Sequence, residues 1–259
     1  MDLPEPTDDL DRAERDLREH GICALTGVLD PDLSVRVRND LYAAADDDRR
    51  TGREVPGFGL DADRSNQRVW NVLSRSPVFV ELLEDPTASH LLRSVLGWPM
   101  LLGNLSANIT GPGGARGALH ADQIFVPEPW PADPQGANAA WALDDLTTAN
   151  GCTCFVPGSH RRNRSPRPGD VAEAVPMEAP SGSLIVFESR LWHRTGANTT
   201  IDERRAAVFG WYTRPIYRTQ ENWFLSLDPS IRQFASDDLL VLLGYRTAGL
   251  GLVNGLSPA

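Results

Sequence analysis

The sequence predicts a mainly β domain, a sandwich or barrel of many short strands with helices ahead of it. From Met100 to Pro215, short apolar stretches alternate with Gly, Pro, Asn and Asp, which is typical of such folds. Before Met100, apolar residues recur at helical spacing instead. The chain has 259 residues, of which 41% are hydrophobic, and all-β domains of this size often form a single core.

The N-terminal part, about residues 1–98, is predicted to be mainly helical. Residues 8–20 indicate a surface helix that ends at Gly21, because glycine commonly caps helices. A short strand is expected directly after it. Residues 32–45 indicate a second, amphipathic helix. The apolar residues of its buried face are Leu33, Val37 and Leu41.

The rest of the chain divides into three further parts. Residues 46–66 are charged and contain several glycines, so we expect a long surface loop, either a lid or a solvated segment. Residues 78–96 are apolar at helical spacing, and Pro86 should divide them into two short helices packed on a sheet. The β core is expected over about residues 99–215, and residues 216–259 should form a C-terminal cover in the same single domain.

Composition excludes several classes of function. The net charge of −10 makes nucleic acid and anionic membranes poor partners. The acidic N-terminus lacks the features of a secretory signal, so we expect a cytoplasmic protein. All 25 basic residues are arginine, which excludes lysine Schiff-base chemistry and the lysine-dependent phosphate loop. The three cysteines, Cys23, Cys152 and Cys154, are expected to be reduced thiols.

His120 and Asp122 form the most informative spacing in the chain. Alternate residues of a strand face the same side, so the imidazole and the carboxylate should project together. This pair suits a divalent ion such as Fe(II). The spacing alone is common by chance, but an apolar strand over residues 184–187 leads towards His193 and a polar turn follows it. The two segments can therefore meet at one site.

Two histidines and one carboxylate form a facial triad, which leaves three positions on an octahedral ion. A 2-oxo acid can fill two of these positions and dioxygen the third. The far carboxylate of 2-oxoglutarate would need a buried cation, and without lysine that cation must be arginine. Arg204 and Arg205 open the strand that follows His193. They must face opposite ways, and periodicity alone does not decide which one points inward.

Several segments together resemble the phytanoyl-CoA dioxygenase family, and the resemblance covers nearly the whole chain. They are LHADQ, ANGCTCFVPGSHR, Gly182–Arg204, the tail from Gln220 to Tyr245, and RVWNVLSRSPVFVELL, which resembles the small-molecule branch of bacteria and fungi. The resemblance implies a double-stranded β-helix, the cupin-like jelly roll, with helices packed on one sheet. It also implies Fe(II) as cofactor, with 2-oxoglutarate and O2 as cosubstrates.

The resemblance assigns roles by position. The implied iron ligands are His120, Asp122 and His193. Arg204 matches the arginine that clamps 2-oxoglutarate, which favours it over Arg205. Thr153 matches a hydroxyl that contacts the same cosubstrate. Asn71 matches an amide near the site.

One departure from the family concerns the cosubstrate. Several relatives carry Gln three residues before the first iron histidine, where this chain has Gly117; Gln123 or a water is expected to replace that contact. The carboxylate Asp122, which related halogenases lack, favours oxygenation over halogenation. The candidates for a substrate pocket are Phe125, Trp141 and Trp211, although core packing is the more common role of such aromatics.

The expected activity is oxidation of an unactivated C–H bond of a small molecule, most simply hydroxylation, with release of succinate and CO2. The composition indicates a GC-rich bacterial genome, which favours a role in antibiotic or other secondary-metabolite biosynthesis. An oxygenase that acts on a lipid or acyl thioester, a cupin-like metalloenzyme that does not use 2-oxoglutarate, and a non-catalytic jelly-roll protein remain alternatives. The resemblance also allows a homodimer.

Overall fold

Two antiparallel sheets face each other and helices cover the outer side of the larger one. The structure is a computed structural model that describes residues 2–54, 65–170, 173–247 and 249–258. The larger sheet has six strands in the order β1 (Ile22–Leu25), β7 (Leu184–Glu188), β4 (Gly136–Ala142), β9 (Arg205–Thr213), β3 (Leu101–Thr110) and β2 (Asn66–Val69). The smaller sheet has three strands in the order β6 (Val175–Pro176), β5 (Thr153–Phe155) and β8 (His193–Thr195). This is the jelly roll with helices on one sheet that the sequence predicts.

The bounds of the elements are as follows. The strands are β1 (Ile22–Leu25), β2 (Asn66–Val69), β3 (Leu101–Thr110), β4 (Gly136–Ala142), β5 (Thr153–Phe155), β6 (Val175–Pro176), β7 (Leu184–Glu188), β8 (His193–Thr195) and β9 (Arg205–Thr213). The helices are α1 (Leu10–His20), α2 (Pro31–Thr51), α3 (Val78–Glu84), α4 (Pro86–Leu96), α5 (Trp223–Ser226) and α6 (Asp237–Leu242).

The large sheet has an outer face towards the helices and an inner face towards the small sheet. On β4, Ala139 and Trp141 belong to the core shared with the helices. Ala140 and Ala142, which alternate with them, belong to the core between the sheets. Successive residues of a strand point to opposite faces. Position along each strand therefore decides whether a side chain meets the helices or the interior.

The predicted helices are confirmed, with one change of length. α1 ends at Gly21, whose φ is +74°, and Pro86 separates α3 from α4. α2 continues to Thr51 rather than ending near residue 45. Its last turns are charged, but Arg50 pairs with Asp47 and the buried Asp48 pairs with Arg75. Such pairs, and arginine near a helix C-terminus, stabilise a charged helical end.

A strand takes up the end of the segment predicted to be a loop. β2 pairs with β3 from Asn66 opposite Thr110 to Val69 opposite Ala107. The sequence showed no clear alternation there, so the strand was not predicted. Part of the segment predicted to be a loop or lid, residues 55–64, lies outside the described residues.

The C-terminal segment closes the edge of β3 that β2 does not reach. The backbone N–H of Glu221 donates to the Gly103 carbonyl at 2.8 Å. The indole Nε1 of Trp223 donates to the Leu102 carbonyl at 2.7 Å. These bonds satisfy backbone groups that an open sheet edge would leave without partners.

Among the described helices, none is both long and apolar enough to cross a membrane.

A buried histidine joins the start of the fold to the loop after β5. His160 lies so close to Gly21 that a Cβ at the glycine would come within 3.0 Å of the imidazole. Burial, and then the charges of Arg190, Arg161 and His20, lower the pKa of His160 to about 4. The folded protein thus keeps this ring neutral at pH values where an unfolded chain would protonate it.

His160 therefore predicts a loss of stability in mild acid. Between pH 6.5 and pH 4 the unfolded state binds a proton that the folded state does not, so the free energy of unfolding falls as the pH falls. In His160→Gln this decline should be shallower, as measured by chemical unfolding between pH 7 and pH 4.5. The control is His90→Gln, at a half-exposed ring beside Glu14. Equal slopes in both variants would contradict the prediction.

Candidate active site

A backbone bridge joins the two segments that carry the candidate iron ligands. The His120 N–H donates to the His193 carbonyl at 3.0 Å, and the His193 N–H donates to the His120 carbonyl at 2.8 Å. Asp122 begins a 3-10 turn rather than continuing a strand as predicted. Ala121 is nevertheless extended, with φ −132° and ψ 151°, so His120 and Asp122 still project to the same side.

The three side chains converge on one point. Their candidate ligand atoms all lie within 4.8 Å of one another. The Nε2 of His120 lies 3.5 Å from Oδ1 of Asp122, and the Nε2 of His193 lies 3.5 Å from Oδ2. Two imidazole nitrogens and one carboxylate on one side of an ion are the donor set of a non-haem Fe(II) site. The arrangement fits that metal.

Backbone carbonyls set the tautomer of both histidines. The Nδ1 atom of His120 is 2.9 Å from the Ala118 carbonyl, and that of His193 is 2.9 Å from the Leu191 carbonyl. Because a carbonyl oxygen can only accept, each Nδ1 must carry the proton. Each Nε2 then presents a lone pair towards Asp122, as a metal ligand requires.

The electrostatic environment keeps His193 neutral. Burial is the largest cause that lowers the pKa of His193, to about 4, and the charges of His120 and Arg68 act in the same direction while Asp122 opposes them. A metal ligand must be unprotonated. At neutral pH this imidazole is therefore ready to bind an ion without first losing a proton.

The expectation that Arg204 enters the barrel is wrong. Arg204 lies over the ring of Tyr42, on the outer side of the sheet, with its guanidinium carbon 4.9 Å from the ring centroid. Arg205 is fully buried and lies opposite Thr110 of β3. Its Nε donates to the Gly151 carbonyl at 3.1 Å. Arg205 shares its face with Phe209, which packs on the core between the sheets.

Thr153 lies on the inner face of the small sheet. In the pairing of β5 with β8, Phe155 is opposite His193 and Thr153 is opposite Thr195. Thr153 and Phe155 alternate with one residue between them and so point the same way. The Phe155 ring centroid is 5.8 Å from that of His193. Thr153 therefore faces the same interior, two residues along β5 from the phenylalanine.

Arg68 is a site residue that the sequence reasoning missed. It lies in β2 opposite Asn108 of β3. The next residue, Val69, packs against the helices, so Arg68 faces the other way, towards the interior. Its positive charge contributes to lowering the pKa of both His193 and Arg205, which places it near both. Alternation within residues 66–69 could have revealed it, had that segment been recognised as a strand.

Three other predicted site residues make structural contacts. The Asn71 amide donates to the Ser226 carbonyl at 2.8 Å and ties down the C-terminal segment. The carbonyl oxygen of the buried Gln123 side chain accepts from the Gln135 N–H at 2.8 Å. Trp141 belongs to the core against the helices. None of these contacts is made to a triad residue. Trp141 packs on the helix side of the sheet, which does not support its expected role at the substrate, and the roles of Asn71 and Gln123 at the cosubstrate stay predictions.

Phe125 and Trp211 instead form an aromatic wall beside the triad. Both pack edge to face, with ring centroids 5.1 Å apart, and Phe125 packs on Tyr217 in the same way at 4.9 Å. Trp211 Nε1 donates to the Ser189 hydroxyl at 3.2 Å. A Cβ at Gly103 would come within 2.2 Å of the Trp211 indole, so glycine is required there.

Residues 17–206 match the family described as phytanoyl-CoA dioxygenase (PhyH). The chain belongs to this family. Membership confirms the expected enzyme class, a dioxygenase dependent on iron and 2-oxoglutarate, and the triad provides the donors for that iron.

Proteins similar to this chain in sequence include fungal and mycobacterial ones. Dioxygenase af480 of Aspergillus fumigatus is 34% identical over 243 residues, which span 93% of this chain and 78% of that protein. Dioxygenase swnH1 of Arthroderma benhamiae is 29% identical over 92% of this chain and 80% of its own length. An uncharacterized protein of Mycobacterium tuberculosis, Rv1501, is 30% identical over 62% of this chain and 60% of its own. These relatives do not decide between a bacterial and a fungal branch.

Solved structures share the fold. The non-heme alpha ketoglutarate dependent epimerase SnoN from nogalamycin biosynthesis is 26% identical, with a TM-score of 0.63 over 85% of this chain and 89% of that chain. The carbocyclase SnoK from the same biosynthesis is 23% identical, with a TM-score of 0.67 over 84% and 90%. At that identity the second likeness concerns the fold alone.

Gly103→Ala is expected to disturb the aromatic wall. The added methyl group cannot fit under the indole, and overpacking of this kind costs about 1–3 kcal/mol in the free energy of unfolding. Gly249→Ala is the control, because nothing lies within 4 Å of a Cβ there, and it should change stability by less than about 0.5 kcal/mol. Chemical unfolding measures both. Equal stability of the two variants would show that Trp211 is not held against Gly103.

Proposed function

We propose that this enzyme hydroxylates an unactivated C–H bond of a small secondary metabolite, in a biosynthetic pathway of antibiotic type, and releases succinate and CO2. The observation that carries the proposal is the convergence of the His120, Asp122 and His193 donor atoms beside a buried arginine on the same inner face. Bound Fe(II) with 2-oxoglutarate supplies the oxidising chemistry. The residues of the chain bind, orient and exclude water.

Arg205 is the residue proposed to hold the far carboxylate of 2-oxoglutarate. Burial lowers its pKa to about 10, so it is still charged at neutral pH. Within the described part of the chain its hydrogen bonds go to the carbonyl of Gly151 and none goes to a carboxylate, while a guanidinium has five N–H donors. A buried charge without an anionic partner is costly. An incoming carboxylate would relieve that cost, with Thr153 beside it as a hydroxyl donor.

Arg68 is proposed to supply a second positive charge for the same dianion. Arg68 lies opposite Asn108 on the inner face, and its charge acts on both His193 and Arg205. 2-Oxoglutarate carries a carboxylate at each end, and one end must lie at the metal. A cation near His193 favours that end, while Arg205 favours the other. The two arginines thus suit the length and charge of the cosubstrate.

The substrate side of the site supports a small and largely apolar molecule. Phe125, Trp211 and Tyr217 form the wall, and the neighbouring Ile124 is 74% exposed. Such a wall suits an apolar ring or chain. Ile124 lies two residues beyond Asp122 in the sequence, so this exposed apolar side chain follows directly on the proposed iron ligand.

The loop after β5 offers little to an anionic carrier. Arg164 binds both oxygens of Asp170, at 2.8 and 2.7 Å, and Arg167 pairs with Glu128 at 3.0 Å. An acyl thioester of a phosphorylated carrier would have to compete with these pairs. This favours a free small molecule over the acyl thioester alternative.

The Lys-free, Arg-rich composition further supports a bacterial source.

The metal and cosubstrate sites can be tested together without knowing the substrate. In an anaerobic titration of metal-free protein with Fe(II) and then 2-oxoglutarate, we expect the weak visible charge-transfer band of the chelate. Asp122→Ala should give no band, because the carboxylate ligand is lost. Wild-type protein that binds iron but shows no band would exclude the oxo acid as a ligand and favour a cupin-like enzyme.

The two neighbouring arginines provide a matched pair for the clamp. Arg205→Met should weaken 2-oxoglutarate binding by about 30-fold or more, because losing one partner of a buried charge pair costs about 2 kcal/mol or more. Arg204→Met removes the same charge from the outer side and should change the affinity less than about 2-fold. Isothermal titration with the Fe(II)-loaded, anaerobic proteins gives both values. The reverse order would restore Arg204 as the clamp.

A further inference from the structure

The way in which Asp122 binds a metal decides how many positions remain open. Three protein donors leave three of the six positions of an octahedral ion. The oxo acid needs two of them and dioxygen one. A carboxylate can bind through one oxygen or through both, and binding through both would take one of the open positions. The site therefore needs a device that limits Asp122 to one oxygen.

Asn138 is placed to do this. It lies in β4 between Phe187 of β7 and Trp211 of β9, on the inner face that Ala140 and Ala142 share. Its side chain is 5% exposed, and its Nδ2 donates to Oδ2 of Asp122 at 2.9 Å. A buried amide in an otherwise apolar row requires such a partner.

The backbone of Asp122 is held from another direction. Its N–H and that of Gln123 both donate to the Ser189 carbonyl at 2.9 Å. The main chain is thus fixed to the end of β7, while the carboxylate is fixed to β4. With both ends held, the rotation of the carboxylate group is restricted to the orientation that the amide selects.

We propose that Asn138 is a positioning residue that keeps one oxygen of Asp122 in a hydrogen bond, so that the carboxylate offers a single oxygen to the metal. The inference rests on the proposed iron site and deepens it. An amide suits this task because its N–H donates at any pH. It is also neutral, so it neither competes strongly for the metal nor repels the carboxylate. Hydrogen bonds of this kind orient metal ligands and tune the metal.

The chain offers a matched control for this amide. Asn104 lies in β3 on the other side of β9, also opposite Trp211, and is also buried. Its amide donates to the side chain of Gln220 rather than to Asp122. Asn138→Leu and Asn104→Leu therefore each remove one buried amide of similar size beside the same tryptophan. Only the first removes the hydrogen bond to the proposed ligand.

The experiment uses the full chain, loaded anaerobically with Fe(II) and titrated with 2-oxoglutarate. In Asn138→Leu we expect 2-oxoglutarate to bind about 10- to 100-fold more weakly and the visible charge-transfer band to shift in wavelength. Asn104→Leu should keep the wild-type band. Asn138→Ala is the second variant, so that a folding failure of the leucine variant does not end the test. Circular dichroism verifies that each protein is folded.

The outcomes separate the two proposals. A folded Asn138→Ala or Asn138→Leu protein with the wild-type band and wild-type affinity for 2-oxoglutarate would overturn the positioning role alone. Equal losses in the Asn104 and Asn138 variants would also overturn it, because disturbance around Trp211 would then be the cause. Wild-type protein without any band would overturn the proposed function, and the inference with it.

Discussion

The site depends on one pair of backbone hydrogen bonds, the bridge between His120 and His193. These residues are far apart in the sequence, and the bridge sets their rings with centroids 4.3 Å apart. The carbonyls of Ala118 and Leu191 then direct both Nε2 atoms to the same side. A ligand set fixed by backbone hydrogen bonds between its segments is held rigidly, which metal sites require. The roles of Asp122, Arg205 and Asn138 all presuppose this alignment.

The two faces of the large sheet perform different tasks. The outer face packs against helices and contributes most of the apolar burial. The inner face of β3 carries a row of buried polar residues, Ser106, Asn108 and Thr110. Buried polar groups add little stability and are costly when unpaired. The helix-packed face therefore offsets the cost of an interior that is arranged for a charged cosubstrate and a metal.

The predictable parts of the fold were those governed by local chemistry. Gly21 ends α1 because it reaches a positive φ without strain, and Pro86 separates two helices because it lacks an N–H. The extension of α2 to Thr51 was not predictable in this way. It depends on Arg75, distant in sequence, which pairs with the buried Asp48. β2 also depends on residues distant in the sequence, because its four residues form a strand only where β3 provides the partner. It was therefore not predicted.

At the site, the sequence by itself determined the donor set. Two histidines and an aspartate at these spacings specify a facial triad, and the lack of lysine requires an arginine as clamp. Only the tertiary structure decided which of the two neighbouring arginines faces the interior. Alternation shows that Arg204 and Arg205 face opposite sides, but not which side is the interior. That is decided by the register of β9 against β3, where Arg205 lies opposite Thr110 and Ala207 opposite Asn108. Hydrogen bonds between strands set this register, and a single strand does not contain them.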